Sequence, residues 1–185
     1  MMLLEKYLIT HCAPTLASLK TASLFCLPLT ADMPLEVHIG QWNHWLQDKG
    51  ITLLILKRLE HKARIYVCRL SHLRADLQKP GVGQFLASYG YAHTAVPYAL
   101  DRLKERLAHG EEFPHEIGIF LGYPLGDVIG FIHNAGKNSK CSGCWKVYCN
   151  ECETVKLFDR IHKCRAIYAR QWKQGKSVRQ LTVAA

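Results

Sequence analysis

Residues 113–152 read FPHEIGIFLGYPLGDVIGFIHNAGKNSKCSGCWKVYCNEC, and the predictions for the rest of the chain are organised around this stretch. Residues 117–121 are a short apolar run between a proline and a glycine, which is typical of a buried strand. Tyr123 and Pro124 then begin a helix, and residues 145–148 form a second predicted strand. A strand–helix–strand unit makes a right-handed crossover when both strands lie parallel in one sheet.

The flanking segments predict further strands and helices around this unit. Residues 51–59 and 63–70 are rich in apolar and β-branched residues and are separated by a polar break, so they predict a hairpin over about 51–70. Three apolar stripes at helical spacing predict helices: Leu35, Ile39, Trp42 and Leu46; Leu100, Leu103 and Leu107; and Leu157, Ile161, Cys164, Tyr168 and Trp172 on a long C-terminal helix. We therefore expect a single α/β domain over residues 1–185, with a mixed four- or five-stranded sheet covered by helices.

Composition indicates a folded protein of the cytoplasm. The chain has 185 residues, of which 49% are hydrophobic and 21% charged, which is typical of globular domains. No run reaches the roughly 18 apolar residues of a membrane-spanning helix. Glu5 and Lys6 interrupt the apolar N-terminus, so a signal peptide is not predicted. In the cytoplasm the eight cysteines are expected to be thiols or metal ligands rather than disulfides.

The net charge of +9 is concentrated in the C-terminal part of the chain. Residues 113–185 carry 11 Lys and Arg against 5 Asp and Glu, a net charge of +6. Such a bias is compatible with an anionic partner, namely nucleic acid, a nucleotide or an acidic protein. The alternative is a basic surface that serves only solubility.

The opening stretch also carries a resemblance. FPHEIGIFLGYPLGDVIGFI, followed by Gly136-Lys137-Asn138 and by CWKVY at residues 144–148, resembles a bacterial family of unknown function that is common in anaerobes. HCAPTLASLK near the N-terminus and SVRQLTV near the C-terminus are similar as well, so the likeness covers nearly the whole chain. The resemblance implies an association with iron and flavodoxin-type redox functions, and no particular reaction. The Cys149 and Cys152 pair looks like an addition to the family pattern.

Four cysteines form the candidate metal site: Cys141, Cys144, Cys149 and Cys152. Two CxxC pairs can supply four thiolates to a zinc ion or to an iron centre, and the sequence does not decide between zinc and iron. The predicted strand at residues 145–148 lies between the pairs, and four extended residues span roughly 13 Å. Reduced structural cysteines and a redox-active CxxC therefore stay open as alternatives.

The turn after residue 121 is the candidate cofactor site, with Gly122, Tyr123 and Asp127 as its residues. In open sheets, ligands bind beyond the carboxyl ends of the strands, and the N–H groups at a helix start attract anions. A flavin or a nucleotide phosphate is therefore conceivable here. GYPLGD is not a phosphate-loop fingerprint, however, and Asp127 repels an anion, so the alternative is a tight turn whose side chains pack locally.

The last predicted helix carries the candidate surface for an anionic partner: Lys156, Arg160, Lys163, Arg170 and Lys173. These residues share one side of the helix and could follow phosphates or contact an acidic protein, including a redox protein. Tyr168 and Trp172 lie on the apolar stripe, so they are expected in the core rather than stacked on bases. The alternative is a solvated basic face.

Three functions remain in order of preference. The first is a small cytoplasmic accessory protein of iron or redox metabolism with a thiolate-bound metal. The second is a binding module for nucleic acid or an acidic protein, and the third is an enzyme or ligand binder at residues 122–127.

No Ser-His-Asp order, Walker loop, Rossmann glycine pattern or HExxH is present. Cys26 and Cys68 are predicted in the core, and the adjacent His11 and Cys12 are predicted to mark a helix entry.

Overall fold

The structure is a computed structural model that describes residues 2–30, 33–109 and 113–184. It is a mixed α/β fold, as predicted. Within the described ranges, no helix combines the length and the apolar character needed to cross a membrane. The chain forms two compact units, here called the sheet unit (Met1–Leu73 with Cys164–Ala185) and the helical unit (Arg74–Lys163).

The helices and strands follow one another in this order: α1 (Met2–Leu16), β1 (Ala22–Pro28), α2 (Leu35–Leu46), a 3-10 turn (Gln47–Lys49), β2 (Ile51–Leu59), β3 (Lys62–Arg69), α3 (Leu70–Leu77), α4 (Val82–Ala87), α5 (Val96–His109), α6 (Ile117–Phe120), α7 (Leu125–His133), β4 (Cys141–Ser142), β5 (Lys146–Val147), α8 (Glu151–Lys173) and α9 (Val178–Leu181). The long helix α8 contributes its first part to the helical unit and its second part to the sheet unit.

The sheet unit is built on three antiparallel strands in the order β1-β3-β2. Strands β2 and β3 form the hairpin predicted for residues 51–70, and β1 pairs along the other edge of β3. Ala63, Ile65 and Val67 alternate along β3 and are buried in the core of this unit, because successive side chains of a strand point to opposite faces. The hairpin prediction is confirmed.

Helices α1, α2 and α8 supply further side chains of this core. All four residues of the predicted α2 stripe, Leu35, Ile39, Trp42 and Leu46, are buried. Cys164 and Tyr168 of α8 join the same cluster, and α8 matches the long C-terminal helix expected from its apolar stripe. The 3.6-residue spacing of apolar side chains was therefore a sufficient signal for these two helices.

Arg69, at the end of β3, holds the sheet unit together through main-chain carbonyls. Arg69 is 1% exposed, and its guanidinium donates to the carbonyls of Thr15 and Leu16 at the end of α1, each at 2.8 Å. It also donates to the carbonyls of Val183 at 2.8 Å and Lys49 at 3.2 Å. The last carbonyls of a helix lack helical partners and carry partial negative charge. Arg69 therefore connects its own strand β3 to three other segments: the end of α1, the 3-10 turn and the C-terminal residues around Val183.

The helical unit contains a buried carboxylate with a cationic partner. Glu116 is fully buried and accepts hydrogen bonds from the Arg106 Nε and, at 3.3 Å, from the Tyr91 hydroxyl. Arg106 lies on α5, whose predicted stripe is buried: Leu100, Leu103 and Leu107. This ion pair ties α5 to the segment just before α6.

The predicted four- or five-stranded mixed sheet is wrong. Residues 117–120 are helical, so the described chain has a three-stranded sheet and a separate two-stranded hairpin, with no strand–helix–strand crossover. The Pro114 carbonyl accepts a hydrogen bond from the Ile117 N–H at 3.1 Å, and the His115 carbonyl accepts one from the Gly118 N–H, also at 3.1 Å. Consecutive turns of this kind start a helix, and a short apolar run fits a buried helical turn as well as a strand.

One cysteine was also placed wrongly. Cys68 is fully buried, as predicted, but Cys26 is exposed. Phe25 and Leu27 are buried on either side of Cys26 in β1. Because side chains alternate along a strand, Cys26 points to the opposite face.

We expect Arg69→Met to lower the free energy of urea unfolding by roughly 3–5 kcal/mol, because several buried carbonyls lose their donor at once. The matched control is Arg74→Met, the same exchange at an exposed position, for which we expect a change within about 0.5 kcal/mol. Equal unfolding free energies for Arg69→Met and the unaltered protein would contradict the role given to Arg69.

Candidate functional site

The cysteine cluster lies on a very short hairpin that leads into α8. Strand β4 pairs antiparallel with β5, with Cys141 opposite Val147 and Ser142 opposite Lys146. The Gly143 N–H donates to the Trp145 carbonyl at 3.1 Å and closes the turn. The strand predicted at residues 145–148 is thus only two residues long, and the chain reverses direction between Cys141 and β5.

Close packing against helices fixes this hairpin from both sides. A Cβ on Gly143 would lie 2.3 Å from the Phe158 ring on α8. A Cβ on Gly130 of α7 would lie 2.4 Å from the Tyr148 ring. Both distances are far below van der Waals contact, so only glycine fits at these two positions. The hairpin is therefore wedged between α7 and the first turns of α8.

Asp127 of α7 is the polar anchor of the same junction. It is 2% exposed, and its Oδ1 accepts hydrogen bonds from the main-chain N–H groups of Tyr148 at 2.7 Å and Cys149 at 2.8 Å. Its Oδ2 accepts one from the Trp145 Nε1 at 2.8 Å. Burial raises the pKa of Asp127, but these hydrogen bonds outweigh burial and the net pKa is lowered. Asp127 is therefore a carboxylate ion committed to the hairpin.

An aromatic stack covers this anchor. Tyr123 stacks on Trp145 with the ring centres 4.6 Å apart, and Trp145 meets Phe158 edge-on at 4.6 Å. Pairs of this geometry add about 0.5–1.5 kcal/mol beyond burial. Sequence reasoning assigned Trp145 only to a strand, although it is the residue that contacts both Tyr123 and Asp127.

The structure gives each predicted cofactor residue a place in the packing of the turn. Gly122 has a φ of 79°, a left-handed conformation that favours glycine, and leads into α7. Tyr123 packs on Trp145, and Asp127 holds the hairpin. These contacts match the alternative of a locally packed turn, while the proposed flavin or nucleotide at Gly122, Tyr123 and Asp127 stays a prediction.

The four candidate metal ligands differ in their surroundings. Cys141, Cys144 and Cys149 are partly buried, and Cys152 is exposed in the first turn of α8. The Cys149 thiol donates to Asp127 Oδ1 at 3.1 Å. Burial, followed by this hydrogen bond and the Asp127 charge, raises the pKa of Cys149 to about 11. Cys149 is thus a protonated thiol turned toward Asp127.

No metal site is assembled in this arrangement. Within residues 2–30, 33–109 and 113–184, no three His, Cys, Asp or Glu side chains converge to hold a metal ion. The four-thiolate site therefore stays a prediction. The objection that an extended strand keeps the two CxxC pairs apart is weakened, because that strand is only two residues long.

The remaining predicted thiols have structural surroundings. Cys12 and Cys68 are fully buried, and burial raises the pKa of each to about 12. His11, in contrast, is exposed, and both His11 and Cys12 lie inside α1 (Met2–Leu16), so the helix entry predicted at these residues is wrong. An exposed imidazole beside a buried thiol does not form a nucleophile–base pair.

The predicted basic residues are all on the surface. Lys156, Arg160, Lys163, Arg170 and Lys173 are exposed along α8, while Tyr168 is buried in the core. The sequence placed each of these side chains correctly, because charge and apolar spacing select opposite sides of one helix.

A surface cleft of about 650 Å³ in the sheet unit was not predicted. The residues that line it come from two stretches of the chain, 43–52 and 70–71: Asn43, His44, Gln47, Gly50, Ile51, Thr52, Leu70 and Ser71. The Asn43 side chain pairs with both main-chain groups of Leu53, at 2.7 and 3.0 Å. This pairing closes part of the free edge of β2. No local sequence pattern marks a cleft assembled in this way.

Comparison with protein-family models matches residues 8–182 to a family described as a protein of unknown function (DUF3793). Comparisons with curated proteins and with solved structures found no match.

We expect the thiols to react in the order of their exposure. Cys26 and Cys152 should be alkylated first by iodoacetamide, whereas Cys12 and Cys68 should react only after unfolding, because burial keeps them protonated and inaccessible. Peptide mass spectrometry of native and urea-unfolded protein measures each site separately. Equal rates at Cys12 and Cys152 in native protein would contradict the described burial.

Asp127→Asn should loosen the junction of the hairpin with α8. The amide keeps the shape but has one acceptor oxygen in place of two, so we expect a loss of about 1.5–3 kcal/mol. Amide hydrogen exchange at Tyr148 and Cys149 should become faster. The control is Asp159→Asn at an exposed position of α8, and unchanged protection in Asp127→Asn would show that the carboxylate is not the anchor.

Proposed function

The chain belongs to the DUF3793 family, a family of unknown function, and we propose that it is a small cytoplasmic accessory protein of iron or redox metabolism that binds a metal ion through cysteine thiolates. The proposed ligands are Cys141, Cys144, Cys149 and Cys152, and the proposed ion is zinc or iron. The observation that carries this proposal is the tight β4–β5 hairpin, which places one CxxC pair on its turn and the other at the start of α8.

Chain geometry brings the two pairs within reach of each other. Cys141 lies opposite Val147, and residues opposite one another in an antiparallel pair have Cα atoms about 5 Å apart. Cys149 follows Val147 by two residues, which span at most about 7 Å. Cys141 and Cys149 are thus separated by no more than about 12 Å between Cα atoms. Rotation of the cysteine side chains toward each other shortens the distance between the sulfur atoms.

Metal binding would replace one hydrogen bond and leave the rest of the junction in place. Cys149 must lose its proton and turn its sulfur away from Asp127 to act as a ligand. Asp127 would still accept hydrogen bonds from the Tyr148 and Cys149 N–H groups and from Trp145. The main chain that carries Cys149 therefore stays positioned, and the cost of assembling the site is confined to side chains. A bound zinc or iron ion would be held by the four thiolates.

The free thiols support the proposed compartment. All eight cysteines are unpaired in the structure, as expected for a reducing cytoplasm.

We also propose that the FPHEIGIFLGYPLGDVIGFI stretch is the signature of the family. Glu116, Gly122 and Asp127 support this, because each has a specific structural task within it.

A cobalt titration of the reduced protein tests the proposed site. We expect one Co²⁺ per chain, with thiolate-to-metal charge-transfer absorption and displacement of cobalt by zinc. The double variants Cys141→Ser/Cys144→Ser and Cys149→Ser/Cys152→Ser should each lose this absorption. Cys26→Ser removes an exposed thiol outside the cluster and should leave the titration unchanged.

Elemental analysis of anaerobically purified protein then distinguishes zinc from iron. Stoichiometric metal that is lost in both double variants supports the proposal. Protein without metal, together with a cobalt titration that gives no thiolate absorption, would overturn it.

A further inference from the structure

Helix α8 presents an exposed basic face that is independent of the cysteine cluster. Lys156, Arg160 and Lys163 are spaced by four and three residues, and Arg170 follows seven residues later. At 100° per residue these positions fall within a narrow sector of the helix. They extend over 15 residues of α8, a rise of about 21 Å along the helix axis.

Most of these cations are unpaired. Lys156 contacts Glu153 at 3.0 Å, but Arg160, Lys163, Arg170 and Lys173 form no ion pair within the described residues. Other surface cations of the chain are paired, including Arg58 with Glu36 and Arg179 with Asp48. The α8 face is therefore a row of charges that the fold does not neutralise.

An apolar side chain lies in the middle of this row. Ile167 is 48% exposed and follows Lys163 by four residues and precedes Arg170 by three, so the three side chains are neighbours on the helix surface. An exposed β-branched residue does not help to bind phosphates. It offers instead a small apolar contact within a charged surface, as in the centre of protein interfaces.

The aromatic residues of this helix are unavailable for stacking on bases. Tyr168 is 9% exposed, and the Trp172 indole N–H contacts Glu5 at 3.4 Å within the sheet unit. Single-stranded nucleic acids are held by exposed aromatic rings beside basic residues.

We propose that this face of α8 docks an acidic protein surface, such as an acidic amphipathic helix, that places an apolar side chain against Ile167. Carboxylates of the partner pair with Arg160, Lys163 and Arg170, and the long basic side chains cover the apolar contact. This proposal does not require the metal site, because Ile167 and the unpaired cations lie outside the four cysteines.

Binding of three fluorescent probes to the full chain tests this proposal by anisotropy. The first is a helical peptide with Glu and Leu at i, i+3 and i+4 spacing, the second is a peptide of equal charge without Leu, and the third is a 20-base-pair DNA duplex. We expect the Glu/Leu peptide to bind at least fivefold more tightly than the other two at equal salt, and its affinity to fall as salt rises.

Variants locate the binding surface. Lys163→Glu/Arg170→Glu should weaken binding of the Glu/Leu peptide at least tenfold. The charge-matched control is Lys6→Glu/Lys62→Glu at exposed positions away from α8, for which we expect a change below threefold. Ile167→Ser should weaken binding of the Glu/Leu peptide about fivefold and leave binding of the peptide without Leu unchanged.

Several results would overturn the proposal. Equal losses in the two double variants would show that only net charge matters. Tighter binding of the duplex would assign the face to nucleic acid, and an absence of binding to all probes at low salt would make it a solvated surface. Loss of peptide binding in Cys149→Ser/Cys152→Ser, together with loss of the metal site, would show that the face is not independent of the cysteine cluster.

Discussion

The buried Asp127 carboxylate is the constraint on which the cysteine hairpin and the start of α8 depend. One side chain on α7 binds the Trp145 indole and the two consecutive main-chain N–H groups of Tyr148 and Cys149. It thereby fixes the last residues before α8 begins.

A second buried ion follows the same physical rule with the opposite sign. Arg69 has no carboxylate partner in its set of hydrogen bonds and binds four carbonyls instead. Main-chain dipoles are fixed in place by the fold, so they stabilise a buried charge without a second ion that must also leave water. The buried charge of Glu116 is stabilised differently, by an ion pair with the side chain of Arg106. Each unit therefore contains a buried charge whose partners lie on other elements of the same unit.

Periodicity predicted the elements whose apolar spacing is regular. The α2 stripe, the α5 stripe, the β2–β3 hairpin and the long helix α8 all follow from spacing alone, because one side of each element faces a core. Residues 117–121 have no such period, and their conformation depends on turns that begin at Pro114. Cys26 was misplaced for a related reason, since the apolar character of a strand does not reveal which face a particular residue takes.

The sequence by itself determined the class of the protein: a mixed α/β chain with a hairpin, a long basic C-terminal helix and two closely spaced CxxC pairs. These features are local, so residue spacing and charge are enough to specify them. Only the tertiary structure decided that Asp127 binds the hairpin, that Trp145 joins Tyr123 to Phe158, and that Ile167 is exposed among cations. Each of these features depends on packing between different segments of the chain. The free energy of such a contact depends on which side chains surround a residue in three dimensions, and the residues beside it in sequence do not determine this.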